Sequence, residues 1–290
     1  MTGFGAFLAR KKLRFLGRRI VRKLGAGSML DTPGWQPRIP EIIPRVIWIY
    51  WDQGLASAPD LVQACVARWQ DCHPGWTVHV LDRQTLGAHI TMPPLPDSIQ
   101  KAHFADVLRT RLLAEHGGVW VDATTWCSLP LDHWLPAAAQ AGMFVYTWTD
   151  ADRPFIERSQ PRILGNWFIA AAKGNHLIRQ WDRVTREYWA VRDATDNYFW
   201  HADAVDYLIT HDPVSRAVWD RMPQFGAVPP HLAQIFLNGG GGEPVAIQRA
   251  IAAGAIPVHK LNWRMTTPTE EILAFFGSDA HSAQATGDIA

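Results

Sequence analysis

Residues 45 to 82 follow one pattern, an apolar strand, an amphipathic helix and a second apolar strand. The strands are RVIWIYW (45 to 51) and WTVHVLD (76 to 82), and the helix between them is PDLVQACVARWQDCHP (59 to 74). A unit of this kind lays its two strands parallel within one sheet. The chain is therefore predicted to be an α/β protein, in which ligands collect at the carboxyl ends of the strands.

The rest of the chain continues this alternation. A helix over residues 98 to 116 is predicted to end at Gly117, and the short apolar strand after it stops at Asp122. A carboxylate at that place would lie in the crevice of an open sheet. The further predicted elements are strands at 143 to 148 and 166 to 171, helices at 176 to 190, 201 to 210 and 244 to 253, and a closing segment at 256 to 264.

Composition narrows the class of protein. Of the 290 residues, 48% are apolar, which is enough for a sizeable core. The sequence contains neither an apolar run of the roughly 18 residues that a membrane-spanning helix needs nor the apolar centre of a signal peptide. The three cysteines show no CxxC spacing and no nearby histidine cluster, so a reduced, cytoplasmic compartment is expected.

Basic residues are concentrated at the N-terminus. Residues 1 to 30 hold eight of the 28 lysines and arginines and no acidic residue. On a helix, four of these cations would share one face, opposite leucine and isoleucine, as in a helix that lies on an anionic membrane. A solvated basic arm or a nucleic-acid contact are the alternatives; we expect the membrane and no nucleic acid. Residues 31 to 40 are predicted to be a linker, 41 to 276 the folded domain and 277 to 290 a flexible tail.

Residue chemistry alone leaves the candidate site open. Asp106 and Arg109 are three apart on a helix, and an exposed ion pair of small energetic value is the simplest interpretation. Asp122 could equally well cap a loop, and the aromatic residues of the first strand could belong to the core. The glycine-rich segment NGGGGEP (238 to 244) lacks the spacing of a phosphate-binding loop.

The order of these segments resembles a known family, the sugar-nucleotide glycosyltransferases of the capsular polysaccharide synthesis type. The most specific segment is ADVLRTRLLAEHGGVWVDATTWCSLPL (105 to 131). The supporting segments are IPRVIWIYWDQG (43 to 54), NWFIAAAKGNHLI (166 to 178), YFWHA (198 to 202) and VHKLNW (258 to 263). The resemblance implies a GT-A fold, which is a Rossmann-like, mixed and mostly parallel sheet flanked by helices.

The resemblance also implies roles for individual residues. Asp106, Arg109 and Asp122 would be catalytic, and Asp122 corresponds to the first aspartate of the DXD motif. Aromatic side chains of the first strand would stack on the nucleoside, while charged and amide side chains would bind the phosphates and the sugar. The residues expected to bind the donor are Trp48, Tyr50, Trp51, Asp106, Arg109, Asn166 and Lys260.

The second aspartate of the DXD motif is missing, because an alanine and Thr124 follow Asp122. In GT-A enzymes that carboxylate helps to hold a divalent cation on the donor diphosphate. Three alternatives remain: Mn²⁺ or Mg²⁺ held by Asp122, Thr124 and the diphosphate; a metal completed by His259; or no metal, with Lys260 and Arg264 supplying the positive charge. We favour a weakly held Mn²⁺ or Mg²⁺.

A complete Asp-x-Asp sequence does occur elsewhere, in WTDADRP (148 to 154). Asp150 and Asp152 there follow an apolar strand. The segment lacks the helix and the Gly-Gly turn that precede Asp122, and we therefore expect a loop on the acceptor side.

The expected function is transfer of a sugar from a UDP- or GDP-sugar to a growing capsular or other cell-surface glycan, lipid-linked, with retention of configuration. The expected location is peripheral, at the inner face of the plasma membrane. A glycosidase would need two carboxylates across the sugar, and the sequence offers no such pair. A non-catalytic sugar-nucleotide or carbohydrate-binding protein of the same fold is the remaining alternative, since the second aspartate is absent.

Overall fold

The computed structural model describes residues 3–5, 7, 41–149, 152 and 162–277. Its centre is a six-stranded sheet with the strand order β2-β1-β3-β6-β5-β7, and β4 and β8 form a separate pair. Five strands of the large sheet run in the same direction and β6 is reversed. The predicted mixed, mostly parallel α/β sheet is therefore confirmed. The strands are β1 (Val46–Tyr50), β2 (Thr77–Leu81), β3 (Gly118–Val121), β4 (Thr125–Cys127), β5 (Met143–Thr147), β6 (Leu164–Ala171), β7 (Phe225–Gly226) and β8 (Val258–Lys260).

Helices cover both faces of the large sheet. The helices are α1 (Asp60–Cys72), α2 (Lys101–His116), α3 (Leu135–Ala138), α4 (His176–Trp189), α5 (Trp200–His211), α6 (Pro213–Arg221), α7 (Leu232–Leu237), α8 (Pro244–Ala252) and α9 (Thr269–Gly277). Successive residues of a strand point to opposite faces, so Ile47 and Ile49 pack under α1 and α3 while Trp48 and Tyr50 pack under α2 and α4 to α6. The result is a three-layer α/β/α domain with a core on each side of the sheet.

The predicted strands and helices lie where the periodicity put them. β1 and β2 pair in parallel as expected, with Val46 opposite Thr77 and Tyr50 opposite Leu81. Sequence reasoning did not give the strands β4 and β7, the reversed direction of β6, the pairing of β4 with β8, or the helices α3, α6, α7 and α9. These are the shorter elements and the long-range pairings, for which local periodicity carries little signal.

The turn from α2 into β3 requires both of its glycines. Gly117 and Gly118 have φ angles of 71° and 100°, a region that side chains rarely adopt. A Cβ atom on Gly118 would also lie 2.5 Å from the Val46 carbonyl oxygen, and one on Gly117 would lie 2.6 Å from the backbone nitrogen of Lys173. The Gly-Gly turn thus lets the end of α2 pack closely against the neighbouring strands, and it sets the direction of β3, which ends just before Asp122.

A third apolar cluster lies beneath the β4–β8 pair. Leu61 and Cys65 of α1 pack there against Ile247 of α8 and Ile272 and Phe276 of α9. In the strand pair itself, Thr125 lies opposite Lys260, Trp126 opposite His259, and Cys127 opposite Val258. This cluster fixes the C-terminal strand of the described chain beside the loop that follows β3.

The first residues of the N-terminal arm pack against the domain. Phe4 is 3% exposed, and its ring lies 5.7 Å from Tyr188 and 5.4 Å from Tyr207. The ring of Phe7 lies 5.4 Å from Tyr207 and 5.6 Å from His211. These two aromatic side chains therefore contact protein. The rest of the predicted membrane helix, the predicted linker and the tail beyond residue 277 lie outside the described residues. Within the part of the chain that the structure describes, no helix has the length and apolar character needed to cross a membrane.

Candidate active site

Residues from distant parts of the chain meet at one edge of the sheet. Asp52 follows β1 and Asp122 follows β3, both at the carboxyl ends of parallel strands. Because β6 is reversed, its N-terminal half lies at the same edge, where the Asp122 backbone N–H donates to the Trp167 carbonyl at 2.8 Å. The strand ends that the pattern predicts to carry the site therefore meet, and the Asp122 side chain is 26% exposed there; we call this region the crevice.

Arg109 joins two carboxylates across this edge. Its Nη1 donates to Asp106 Oδ1 at 2.7 Å and its Nη2 to Asp122 Oδ1 at 3.1 Å. The Arg109 side chain is only 6% exposed, and its guanidinium lies 5.2 Å from the centre of the Trp120 ring. The exposed ion pair suggested by the helical spacing of Asp106 and Arg109 is wrong, since the pair is buried and continues to the end of β3. Removing one partner of such a pair leaves an uncompensated buried charge.

Asp106 is surrounded by hydrogen-bond donors. Asn166 Nδ2 donates to Asp106 Oδ1 at 2.8 Å, and His103 Nδ1 lies 3.2 Å from Oδ2. Burial would raise the pKa of the Asp106 carboxyl, but the positive charge of Arg109 and the nearby His201 and His103 hold that pKa below its usual value. Asp106 therefore stays ionised behind the crevice, where it is inaccessible, and orients Arg109.

His201 and Asn166 complete this buried group. Burial lowers the pKa of His201 to about 3, so its imidazole is neutral near pH 7. The Asn166 amide nitrogen also lies 3.0 Å from His201 Nδ1, and both of its hydrogens are therefore engaged, one by the imidazole and one by Asp106. The amide orientation is fixed by these two acceptors. Asn166 is partly exposed, so its oxygen can accept a hydrogen bond from a ligand.

Asp122 and Lys260 form the accessible part of the network. Asp122 Oδ1 accepts from Arg109 and from Trp120 Nε1 at 3.1 Å, while its Oδ2 lies 3.2 Å from Lys260 Nζ. Lys260 Nζ also donates to Thr124 Oγ1 at 2.7 Å. The side chains of Asp122 and Lys260 are 26% and 20% exposed. They face the crevice with a fixed spacing, and the buried pair lies behind them.

The metal ligands suggested by sequence do not all meet. Neighbouring strand residues point to opposite faces, so Lys260 faces Asp122 whereas His259 is fully buried with its ring 5.0 Å from that of Phe276. His259 therefore does not join Asp122 and Thr124. Among the described residues no group of three or more His, Cys, Asp or Glu could hold a metal ion. One carboxylate and one hydroxyl with an ammonium between them are a poor fit to a hard divalent cation; Mn²⁺ or Mg²⁺ stays a prediction.

Two aromatic residues of β1 have structural partners. Trp48 is buried, donates its indole N–H to the Gly117 carbonyl at 2.9 Å, and stacks on His79 at 4.6 Å. The Tyr50 hydroxyl donates to Asp52 Oδ1 at 2.6 Å, and burial together with that carboxylate raises the pKa of Tyr50. Both side chains belong to the core beneath α2, which leaves them no accessible ring face for the nucleoside contact expected from the resemblance.

Trp51, the third aromatic residue of that segment, is partly exposed and contacts Trp263, for which the sequence predicted no role. Its ring lies 6.1 Å from that of Trp263, edge to face. Trp263 is 45% exposed, and the Arg264 guanidinium lies 4.6 Å from its ring centre. Trp263 is the last residue of the segment VHKLNW, one of the segments that carry the resemblance. That membership is the sequence feature that could have marked Trp263 as a site residue. The pair offers aromatic surface at the rim of the crevice.

Further aromatic and cationic groups that sequence reasoning missed lie near Asp106 and Asp122. Tyr198 is 58% exposed, its ring lies 5.5 Å from that of His103, and burial of part of its ring and the nearby carboxylates raise its pKa. The Arg162 guanidinium lies 4.4 Å from the ring centre of Trp148 and 4.1 Å from that of Phe199. Residues 198 and 199 belong to the segment YFWHA, which was noted for the resemblance. The sequence alone does not show that these two residues are more exposed than the buried residues 200 to 202 that follow them.

In the Asp-x-Asp sequence, Asp152 forms hydrogen bonds within its own turn. Asp152 Oδ2 accepts from the Thr149 backbone N–H at 2.8 Å and from the Thr149 hydroxyl at 2.9 Å. Asp152 is 5% exposed, and Asp150 lies outside the described residues. The Asp152 carboxylate thus caps its own turn.

Comparisons with known proteins give one family match and several relatives. The sequence model of the capsular polysaccharide synthesis protein family matches residues 31–277. The chain is 25% identical to the O-glycosyltransferase braB of Annulohypoxylon truncatum over 55% of this chain and 41% of that protein. It is 29% identical to the putative glycosyltransferase HOC1 of Saccharomyces cerevisiae over 47% of this chain and 38% of that protein. The chain thus spans less than half the length of these curated relatives.

Among solved structures, the PaToxG glycosyltransferase is similar to this chain. The similarity covers 82% of this chain and 87% of that chain, with a TM-score of 0.40 and 14% sequence identity.

Proposed function

The chain belongs to the capsular polysaccharide synthesis protein family, and on that premise we propose that it is a glycosyltransferase that uses a nucleoside diphosphate sugar. The observation that carries the proposal is the charged group at the carboxyl end of β3. Accessible Asp122 and Lys260 face the crevice there, and buried Arg109 and Asp106 hold them in place. The names of the relatives, which are glycosyltransferases, support the same reaction class.

The donor fits the crevice in three parts. The rings of Trp51, which is partly exposed, and of exposed Trp263 would contact the nucleobase, where stacking does not demand one particular base, so UDP- and GDP-sugars are both candidates. Lys260 would bind the diphosphate, because an ammonium donates to phosphate oxygens as a point charge. The Asn166 oxygen and the Asp122 carboxylate would accept hydrogen bonds from sugar hydroxyls.

The proposed step is a displacement at the anomeric carbon. The acceptor hydroxyl oxygen forms a bond to that carbon while the bond between the carbon and the diphosphate oxygen breaks. The electron pair goes to the departing oxygen, which takes the acceptor's proton on the same face, so configuration is retained. Asp106 and Asp122 are both held by Arg109, and neither is placed as a free nucleophile. The protein would then act by positioning and by fixed charge.

The acceptor and the location are the finer parts of the proposal. The family description supports a capsular or other cell-surface glycan, and growth of such a glycan on a lipid carrier would suit an enzyme at the inner face of the plasma membrane. The basic arm would supply the membrane contact through residues that lie outside the described part of the chain.

Two rival functions make different demands on the same residues. A glycosidase needs a carboxylic acid with a raised pKa across the sugar from a second carboxylate. In this site the pKa of the buried Asp106 is lowered, and Arg109 binds both carboxylates, which counts against that function. A non-catalytic binding protein would use the same crevice without turnover, and only an assay separates it from the enzyme.

The test is a donor screen with two readouts. Purified protein is incubated with UDP-, GDP-, dTDP- and CMP-sugars, and both the melting temperature and the release of free nucleotide are recorded. A donor at about 100 times its dissociation constant stabilises a fold by about 2.7 kcal/mol. We expect stabilisation and slow donor hydrolysis with one nucleotide class. Stabilisation without hydrolysis or transfer would favour the binding protein, and no response to any donor would refute the proposal.

The membrane contact needs a test that spares Phe4 and Phe7, since both pack against the domain. Deleting the arm would expose that surface, so we propose the triple charge reversal Arg14→Glu, Arg18→Glu and Arg22→Glu. Each basic residue near an anionic surface contributes about 1 kcal/mol of binding. Sedimentation with vesicles containing phosphatidylserine should be lost in this variant and kept in the wild type. Equal sedimentation of both proteins would refute the membrane contact.

A further inference from the structure

The position beside Asp122 where a glycosyltransferase of this type would hold its divalent cation is occupied by a side chain of the protein. Lys260 Nζ lies 3.2 Å from Asp122 Oδ2 and 2.7 Å from Thr124 Oγ1. The other oxygen of Asp122 already accepts from Arg109 and Trp120. A carboxylate with cationic donors at both oxygens is a poor ligand for a second cation, because that cation would be repelled at close range.

The position of Lys260 is set by backbone pairing. β8 pairs with β4 so that Lys260 lies opposite Thr125, and the Leu261 backbone N–H donates to the Thr124 carbonyl at 2.9 Å. A backbone hydrogen bond and the strand register thus hold the base of this side chain. The ammonium group reaches the crevice from a rigid element, with 20% of the side chain exposed.

We infer that the Lys260 ammonium replaces the divalent cation and neutralises the leaving diphosphate, so that transfer needs no metal. This inference deepens the proposed function and rests on it. An ammonium carries three N–H donors. One is donated to Thr124 and the ammonium forms an ion pair with Asp122, which leaves at least one N–H for a phosphate oxygen of the donor.

The threonine at position 124 is consistent with this assignment. Its hydroxyl oxygen accepts from Lys260, and its side chain is buried, so it helps to hold the ammonium in place beside Asp122. A carboxylate at position 124 would place a second negative charge where the diphosphate binds. With threonine there, Asp106 and Asp122 are balanced by Arg109 and Lys260, and the missing second aspartate of the motif no longer leaves a deficient metal site.

The first experiment compares Lys260→Met with the wild type after thorough chelation with EDTA. Wild-type transfer should be unchanged by chelation. Lys260→Met should lose activity by about a hundredfold or more, the usual effect of removing one charge-stabilising donor from an active site. Lys173→Met is the matched control, since Lys173 is exposed and outside the crevice, and it should transfer normally.

The second experiment measures Mn²⁺ binding directly, by electron paramagnetic resonance, with UDP or GDP present. The wild type should leave Mn²⁺ no more tightly bound than the nucleotide alone does. The double variant Thr124→Asp, Lys260→Ala restores two carboxylates and removes the ammonium. It should bind Mn²⁺, and any transfer it shows should depend on that ion.

Several outcomes would overturn the inference. These are loss of wild-type transfer on chelation with recovery on added Mn²⁺, tight Mn²⁺ binding by the wild type, or normal transfer by Lys260→Met after chelation. Failure of the proposed function gives a different result, in which the wild type neither responds to nor turns over any nucleotide sugar. The Mn²⁺ titration requires no turnover, so it tests whether the site beside Lys260 holds a metal even when no transfer is detected.

Discussion

Two ion pairs between an aspartate and a basic side chain meet at Asp122, and they differ in exposure to solvent. Behind it, Asp106 and Arg109 form a buried ion pair whose remaining bonds go to other protein groups. In front, Asp122 and Lys260 form a pair at 3.2 Å, but their side chains are 26% and 20% exposed. We call these two parts the buried pair and the accessible pair.

This difference in exposure suggests different roles: the buried pair positions the site, and the accessible pair contacts the substrate. A buried ion pair has a large desolvation cost and is retained when it holds a geometry, whereas an accessible pair can exchange a partner for a ligand. Changes in the buried pair should therefore appear first as lost stability. Changes in the accessible pair should appear as lost turnover in a protein that still folds.

The largest expected effect tests the buried pair. Asp106→Ala leaves the Arg109 charge without its closest partner, and breaking such a pair costs about 3–5 kcal/mol of folding stability. Urea unfolding monitored by tryptophan fluorescence measures the loss. Asp132→Ala, in an exposed pair with Arg45, is the control and should cost at most about 1 kcal/mol. Equal losses would remove the distinction between the two environments.

The next effect tests the accessible pair. Asp122→Asn keeps the shape of the side chain, so its urea midpoint should stay near that of the wild type. Transfer at saturating donor should fall about a hundredfold, or about 3 kcal/mol of transition-state stabilisation. If instead transfer is unchanged, Asp122 is only a cap on its strand and the proposed mechanism fails.

Arg109 belongs to both parts, and its substitution should show both effects at moderate size. Arg109→Lys keeps the charge, but a single ammonium cannot donate to Asp106 and Asp122 in the geometry of a planar guanidinium. We expect a loss of about tenfold in kcat/KM together with a lower melting temperature, about 1.4 kcal/mol in the kinetic measurement. Arg216→Lys, in an exposed pair with Asp220, should change neither quantity.

A smaller effect is expected at the rim of the crevice. Trp263→Ala removes one ring of the pair with Trp51, and aromatic contacts of this kind contribute about 0.5–1.5 kcal/mol. Titration with UDP and GDP should give dissociation constants about two- to tenfold higher. Val245→Ala, at another exposed apolar position, provides the control. Unaltered nucleotide binding in Trp263→Ala would exclude this rim from the nucleotide site.

The smallest effect on turnover is expected at His259. His259→Leu should transfer sugar like the wild type, because His259 faces the apolar cluster under β8. Burial lowers the pKa of His259 from 6.5 to about 3. Between those values the unfolded chain binds a proton that the folded protein does not, so stability falls as pH falls. The difference in urea midpoint between pH 7 and pH 4.5 should therefore shrink in His259→Leu. An undiminished difference would mean that burial of this imidazole is not the cause of the acid sensitivity.

Local pattern predicted the elements and the position of Asp122, because strand and helix periodicity and the Gly117–Gly118 turn are encoded over a few residues. It could not predict which polar residues are buried. Asp106 and Arg109 have the spacing of a surface pair, and only the packing of α2 on α4 and the sheet puts them inside.

Long-range pairing set the remaining parts of the site. Asn166 reaches Asp106 because β6 is reversed, and Lys260 rather than His259 reaches Asp122 because of the register between β4 and β8. A register shift of one residue would exchange the two side chains. Nothing within a few residues of Lys260 indicates that choice.

The β4–β8 pairing also orders the steps by which the site is assembled during synthesis. Asp106, Arg109 and Asp122 lie within 17 consecutive residues and are all translated early, whereas Lys260 is translated 138 residues after Asp122. Chains are made from the N-terminus at about 5–20 residues per second, so the carboxylates wait at least several seconds for their ammonium partner. A nascent chain, or one truncated before β8, carries the aspartates without the charge that balances them. Competence for the proposed reaction therefore requires translation through β8, the last strand that the structure describes.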